Sequence, residues 1–208
     1  MKEKINIAVL ASGRGSNFES LARSCTREDY PAAMRILITD SPHAGAIAIA
    51  DAMGIERAVV DCGTKRGLMS IESSDEMARI CASREIDLIC LAGFMRIVRG
   101  ALMTAYRGRI LNIHPALLPS FRGLDGQRQA LEYGVRWTGC TVHFVDEGID
   151  TGPIIVQRVV PVLEHDTVES LGARILKEEH VAYPEAVRLY AEGRLRMEGR
   201  RVLIRDKA

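Results

Sequence analysis

Short apolar runs alternate with stretches of mixed polarity along the first half of the chain. Four runs have the length of buried strands, at residues 5–11, 34–39, 58–60 and 88–92. The stretches that follow them are predicted as helices, at residues 18–22, 44–53, 70–83 and 102–106. Because each strand is followed by a helix of modest length, the pattern predicts a parallel sheet with right-handed crossovers.

The second half departs from this alternation. An apolar run at residues 110–113 predicts a fifth strand, and a helix is predicted at 127–133. Two β-rich segments, 138–145 and 154–160, are joined by a short glycine-containing link. Such a link fits an antiparallel pair, so we expect the far edge of the sheet to be mixed.

The C-terminal region is predicted to hold one long helix and a hairpin. The helix covers residues 167–190, with Thr167 and Ser170 as its start signal and Pro184 expected to kink or restart it. Two short apolar runs form the terminal hairpin, at residues 195–197 and 202–204. The pattern as a whole predicts the α/β class: a Rossmann-like, mostly parallel sheet with helices on both faces, antiparallel edge strands and a long C-terminal helix.

The chain length favours one domain over residues 1–208, with an N-terminal half of about 1–107 and a C-terminal half of about 108–208. Lysine plus arginine number 28 against 27 acidic residues, so no net field favours a polyanion, and we expect no nucleic-acid partner. No apolar run approaches the roughly 18 residues of a membrane span, and the N-terminus lacks a signal-peptide pattern, so a cytoplasmic protein without a membrane role is expected. The five cysteines form no C-x-x-C pair. Reduced core thiols, exemplified by Cys81 and Cys90, are therefore favoured over a zinc site or disulfides.

A glycine loop, residues 12–17, lies between the first strand and the first helix. Its two glycines let the backbone approach a ligand, and the N–H groups of the helix start form an anion site that Ser16 and Asn17 extend. An ordinary tight turn explains such a loop about equally well. A dinucleotide fingerprint would need a third glycine where Phe18 stands, yet Asp40 ends the second strand as a ribose-binding acid would, so a nicotinamide enzyme stays a minority alternative.

Two polar residues lie at the end of the strand predicted at 110–113: Asn112 within it and His114 directly after it. Because side chains alternate along a strand, both point to one side, and Pro115 stops the strand just after His114. The carboxyl end of a strand is where open α/β sheets bind ligands. Asp150 lies in the glycine-rich link further on, where an acid is most often a turn former. An imidazole, an amide donor and a carboxylate together suit acyl-type transfer through an anionic tetrahedral intermediate.

Five segments in order resemble the folate-dependent phosphoribosylglycinamide formyltransferases, and together they span almost the whole chain. They are residues 11–17 (ASGRGSN), 91–97 (LAGFMRI), 111–119 (LNIHPALLP), 139–144 with 150–153 (GCTVHF and DTGP), and 179–184 (EHVAYP). The resemblance implies transfer of a formyl group from 10-formyltetrahydrofolate, the co-substrate, to the amine of glycinamide ribonucleotide in purine synthesis, with no metal. The implied partners are small molecules, and the protein is expected to be a monomer or a homodimer.

The resemblance also implies roles for individual residues. His114 is the catalytic imidazole, Asn112 the donor to the formyl oxygen, and Asp150 the carboxylate that raises the pKa of the histidine. The substrate phosphate maps to Gly15, Ser16 and Asn17, and Glu179 maps to the acid that holds the substrate amine. The pterin pocket maps to Met95, Arg96, Ile97 and Val98, with Asn112. From their surroundings alone, these loop residues seal the core or line a flat pocket, and charges such as Glu179 lie on a solvated helix face.

Two departures from the family pattern and two related families leave alternatives open. The loop after the opening motif carries Arg122, Asp125 and Gln127 where many relatives have proline and histidines, and the family's arginine after the third strand has no clean match other than Arg66. Methionyl-tRNA formyltransferase and formyltetrahydrofolate hydrolase use the same Asn, His and Asp set, although both resemble this chain less and are expected in longer chains. A non-catalytic nucleotide-binding module would leave the three residues without joint geometry.

Overall fold

The computed structural model describes residues 4–63, 65 and 67–206. Within them lie nine strands: β1 Ile5–Leu10, β2 Ala32–Thr39, β3 Glu56–Val59, β4 Leu88–Leu91, β5 Ile110–His114, β6 Trp137–Phe144, β7 Ile154–Pro161, β8 Leu195–Glu198 and β9 Arg201–Ile204. The helices are α1 Ser16–Cys25, α2 Gly45–Ala52, α3 Ile71–Ala82, α4 Gly100–Ala105, α5 Gly126–Tyr133 and α6 Val168–Ala191.

The strands form one sheet in the order β3-β2-β1-β4-β5-β6-β7-β9-β8. Strand β1 pairs in parallel with β2 and β4, and β2 pairs in parallel with β3. Pairing is antiparallel between β6 and β7 and between β8 and β9. The predicted mostly parallel α/β sheet with antiparallel strands toward one edge is therefore confirmed.

The chain divides into two compact units, residues 1–111 and 112–208. In the first unit, β1 lies between β2 and β4, and its residues from Ile7 to Leu10 are fully buried. Helix α1 buries Phe18, Leu21 and Ala22, the residues whose spacing predicted it. Cys81 and Cys90 are buried free thiols, as expected, and burial raises the pKa of Cys81 to about 12.

In the second unit, α6 packs against β6 and β7. The Thr167 hydroxyl accepts the Ser170 N–H and the Ser170 hydroxyl accepts the Thr167 N–H, so the predicted start signal forms a capping box. The helix does not restart at Pro184, because it runs without interruption to Ala191. Burial of Tyr183, Ala186 and Val187 around the proline offsets the roughly 3 kcal/mol that an interior proline costs a helix.

Among the described residues, none of the helices combines the length and the apolar character needed to cross a bilayer.

Candidate active site

The glycine loop of the first unit joins β1 to α1. Gly15 is the residue before α1 and has a φ of 86°, in the left-handed region, and within the described residues no side chain caps this helix start. A Cβ on Gly15 would lie 2.7 Å from Ala46 Cα of α2. Gly15 is thus required both by its backbone conformation and by the close approach of α2. The uncapped helix start, which begins with Ser16 and Asn17, has the geometry of an anion site.

The loop after β4 carries the residues predicted for the pterin pocket. Met95 and Ile97 are exposed apolar side chains, whereas Val98 is buried. The Arg96 guanidinium donates from Nε to Asp40 Oδ2 at 2.7 Å and from Nη1 to the Lys65 carbonyl at 3.0 Å. Each of the two interpretations of this loop therefore applies to different residues. Val98 seals the core, whereas Met95 and Ile97 present apolar surface that could line a pocket.

In the second unit, Asp150 meets both polar residues of β5. Its Oδ2 atom lies 3.3 Å from His114 Nδ1, and its Oδ1 atom accepts from Asn112 Nδ2 at 3.3 Å. Oδ2 also accepts the Gly123 N–H at 2.8 Å. The structure thus brings together the three residues predicted to be catalytic, and Asp150 is far more than a turn former.

The link that presents Asp150 is fixed by its own polar residues and glycines. Asp146 Oδ1 accepts from the Thr151 hydroxyl at 2.6 Å and from the Gly148 N–H at 3.1 Å. Asp150 has a φ of 51°, which aspartate tolerates better than most residues. A Cβ on Gly152 would collide with the Phe144 carbonyl at the end of β6, so only glycine fits there.

His114 is almost fully buried, and both of its ring nitrogens face oxygen atoms. Nε2 lies 2.7 Å from the Phe121 carbonyl, which can only accept, so this nitrogen carries a hydrogen. Burial lowers the pKa of His114 below its ordinary value of 6.5 and outweighs the Asp150 carboxylate and the Phe121 carbonyl, which both raise it. Asp150 therefore acts on His114 in the predicted direction, but burial dominates in this conformation.

The pKa of Asp150 is held below its ordinary range. Burial acts to raise it, but the His143 ring 3.6 Å from Oδ1, the neighbouring His114 imidazole and the hydrogen bond from the Gly123 N–H outweigh that effect and lower the pKa. The carboxylate is therefore ionised at neutral pH. It is the negative charge around which the polar groups of the site are arranged.

The sequence did not single out His143, which the structure adds to the cluster. It is buried on β6, with Nε2 3.2 Å from Asn112 Nδ2 and 3.6 Å from Asp150 Oδ1. Nδ1 lies 2.7 Å from the Phe144 carbonyl, so it carries a hydrogen and leaves Nε2 to accept from Asn112 in the neutral ring. The available signal was a histidine at the end of a β-rich segment, just before the link that carries Asp150.

The remaining predicted residues lie elsewhere in the two units. Glu179 is buried on α6, so the expectation of a solvated face is wrong for it. It follows the buried Leu171 and Ile175 at four-residue spacing, so it lies on the buried face of α6. Asp125 precedes α5 with a φ of 58°, Gln127 lies in α5, and the Arg122 carbonyl accepts from Gln129. Arg66 lies outside the described residues.

Comparison with known proteins assigns the chain to a family. The family model described as formyl transferase matches residues 5–187. The chain belongs to the formyl transferase family. This membership removes the nicotinamide enzyme as an interpretation of the glycine loop. Asp40, the residue in the position of a ribose-binding acid, forms an ion pair with Arg96 instead.

Individual members of the formyl transferase family are similar over nearly the whole chain. The phosphoribosylglycinamide formyltransferase of Bacillus subtilis (strain 168) is 42% identical over 87% of this chain and 92% of that protein. The crystal structure of glycinamide ribonucleotide transformylase 1 from Symbiobacterium toebii is 48% identical, with a TM-score of 0.94 over 99% of this chain and 96% of that one. The trifunctional purine biosynthetic protein adenosine-3 of Gallus gallus is 42% identical over 91% of this chain, which spans only 19% of that longer protein.

Proposed function

We propose that this protein transfers the formyl group of 10-formyltetrahydrofolate to the amine of glycinamide ribonucleotide, a step of purine synthesis in the cytoplasm. The observation that carries the proposal is the Asp150 carboxylate, held within 3.3 Å of both His114 Nδ1 and Asn112 Nδ2 in a formyl transferase chain. Family members that are similar over nearly their whole length bear this activity in their names.

The proposed reaction begins when the ribonucleotide amine attacks the formyl carbon. A C–N bond forms, and the formyl oxygen becomes an oxyanion in a tetrahedral intermediate. The Asn112 amide and the His114 imidazolium donate hydrogen bonds to that oxygen. The intermediate collapses when the bond from carbon to the folate nitrogen breaks; this nitrogen takes up a proton, the former amine loses one, and tetrahydrofolate and the formamide are released.

Asp150 makes protonation of His114 accessible in this scheme. Burial disfavours the imidazolium, and the carboxylate beside Nδ1 opposes that effect. In the conformation described, Nε2 donates to the Phe121 carbonyl and the Asn112 amide faces Asp150 and His143. The proposal therefore requires the substrate to replace the Phe121 carbonyl at Nε2 and one of the partners of the Asn112 amide.

The substrate assignments follow the resemblance, residue by residue. We assign the ribonucleotide phosphate to Gly15, Ser16 and Asn17, at the uncapped start of α1. The folate pterin is assigned to residues 95–98 together with Asn112, and the substrate amine to Glu179. No step of the proposed chemistry calls for a metal ion.

The test is an assay of purified protein with 10-formyltetrahydrofolate and three separate acceptors: glycinamide ribonucleotide, water, and methionyl-tRNA. We expect rapid loss of the folate's formyl group only when glycinamide ribonucleotide is present. Deformylation at the same rate without the ribonucleotide would favour the hydrolase, and formylation of the tRNA would favour the other transferase. No turnover by folded protein with any acceptor would leave a non-catalytic module.

A further inference from the structure

Two polar residues of the first unit, Ser12 and Asp40, hold the loop after β4. Strands β2, β1 and β4 are neighbours in the sheet and run parallel, so their carboxyl ends lie side by side. Ser12 follows β1 and Asp40 follows β2. Both side chains reach the loop that follows β4, which carries Met95 and Arg96.

Ser12 is bound to this loop through two hydrogen bonds. Its hydroxyl oxygen accepts the Met95 N–H at 2.9 Å, and its own N–H donates to the Gly93 carbonyl at 3.2 Å. Ser12 is also the first residue of the glycine loop to which the ribonucleotide phosphate is assigned. By sequence Ser12 lies in the loop assigned to the ribonucleotide phosphate, whereas its hydrogen bonds are with the loop assigned to the folate pterin.

Asp40 holds the next residue of the loop. Its side chain is 6% exposed and that of Arg96 is 18% exposed, so the ion pair between them is largely removed from water. Asp40 Oδ1 is buried and has no hydrogen-bond partner among the described residues. A buried ion pair whose carboxylate has one unsatisfied oxygen contributes little to the free energy of unfolding. The role left for Asp40 is to fix the position of the Arg96 guanidinium.

Three backbone carbonyls, of Lys65, Gly67 and Met69, also hold this loop. The Ile97 N–H donates to the Gly67 carbonyl at 2.9 Å, Arg96 Nη1 donates to the Lys65 carbonyl, and Arg99 Nε donates to the Met69 carbonyl at 2.6 Å. Met95 and Ile97 keep their apolar side chains exposed, while their backbone N–H groups and the Arg96 guanidinium between them are fixed by hydrogen bonds. A fixed backbone with exposed apolar side chains is suited to a flat, rigid ligand.

We propose that Ser12 and Asp40 are positioning residues for the folate: they fix the backbone of residues 95–97 in the shape that binds the pterin. The inference rests on the proposed function, because it takes from there that this loop binds folate. Its consequence is specific. Loss of the Ser12 hydroxyl weakens folate binding although Ser12 lies in the glycine loop, and ribonucleotide binding is unaffected.

The test is steady-state kinetics of Ser12→Ala and Asp40→Asn with each substrate varied in turn. Each variant is expected to raise the KM for 10-formyltetrahydrofolate about 3- to 10-fold, the scale of one lost hydrogen bond, and to change the KM for the ribonucleotide less than about 2-fold. Ser12→Thr keeps the hydroxyl oxygen and is expected to retain the original folate KM. Met95 is 55% exposed, so water can satisfy its N–H in Ser12→Ala and the variant should fold.

Matched controls remove the same groups elsewhere in the first unit. The Ser24 hydroxyl donates to the Ser20 carbonyl within α1, and Asp51 forms an exposed ion pair with Arg57. Ser24→Ala and Asp51→Asn should leave both KM values unchanged. Asn17→Ala should show the opposite selectivity and raise the KM for the ribonucleotide.

Amide hydrogen exchange at Met95 gives a second measurement that needs no substrate. Exchange of this N–H is expected to be faster in Ser12→Ala than in the original protein and in Ser12→Thr. An unchanged folate KM in both Ser12→Ala and Asp40→Asn, in an enzyme that turns over normally, would overturn the inference and leave the proposed function standing. An equal rise in both KM values would also overturn it. Absence of formyl transfer by the unsubstituted protein would refute both this inference and the proposed function.

Discussion

At the scale of single residues, Asp150 is where the polar groups of the candidate site meet. Its two oxygen atoms face His114, Asn112, His143 and the Gly123 N–H. Sequence spacing alone suggests a turn residue here, because the partners of Asp150 come from β5, β6 and a separate loop. The family resemblance implied its role, and His143 was missed because nothing local distinguishes a histidine beside Asp150 from any other histidine buried in a strand.

Asp150→Asn is predicted to lower kcat at least about 100-fold, the usual scale for groups that support acid–base catalysis. The amide keeps the size of the side chain but loses the negative charge that raises the pKa of His114. The pKa of His114, measured by NMR titration, is therefore expected to fall further in the variant. Asp51→Asn, which removes an exposed carboxylate, is the control. A kcat within a few-fold of the original enzyme would exclude Asp150 from the mechanism.

The lowered pKa of His114 also predicts a pH dependence of stability. Because the folded protein binds the His114 proton more weakly than the unfolded chain, stability is fully present above pH 6.5 and is lost as the pH falls through the folded-state pKa. The free energy of unfolding, measured with denaturant, is expected to decrease from pH 7.5 toward pH 5.5. The decrease should be smaller in His114→Gln and unchanged in a variant of the exposed His165. Equal slopes in all three proteins would contradict this role of burial.

At the scale of elements, hydrogen bonds within the link between β6 and β7 fix the position of the Asp150 carboxylate. Asp146 fastens the link through Thr151 and Gly148, and Gly152 lets it pass against the end of β6. Glycine-rich turn composition is visible in the sequence. The sequence does not reveal which of these glycines contacts β6, because that contact depends on how the antiparallel pair ends.

Gly152→Ala is predicted to destabilise the protein by about 1–3 kcal/mol and to lower kcat, since a Cβ there would displace the backbone that carries Asp150. Gly172→Ala in α6 is the matched control. Its Cβ would lie 3.9 Å from the Gln127 side chain, an ordinary contact, so it should stabilise the helix by about 0.5–1 kcal/mol. Denaturant unfolding and kcat are the two measurements. Equal stability and activity in Gly152→Ala would show that the link tolerates displacement.

At the scale of the whole molecule, hydrophobic periodicity was sufficient for most of the fold. The alternation of apolar runs and helices gave the parallel strands, and the short link gave the antiparallel β6–β7 pair. The start of α6 followed from Thr167 and Ser170, but its continuation through Pro184 depends on tertiary burial that local preference does not contain. The contacts of Ser12 and Asp40 with the loop at 93–98 likewise arise only when three strands align.

The most direct test of the central claim follows the formyl carbon itself. Folate labelled with ¹³C in the formyl group is mixed with glycinamide ribonucleotide and the protein, and the products are observed by NMR. We predict that the label appears as a formamide on the ribonucleotide, at a rate that falls at least about 100-fold in His114→Ala. Label recovered as formate, or left on the folate by folded protein, would contradict the assignment.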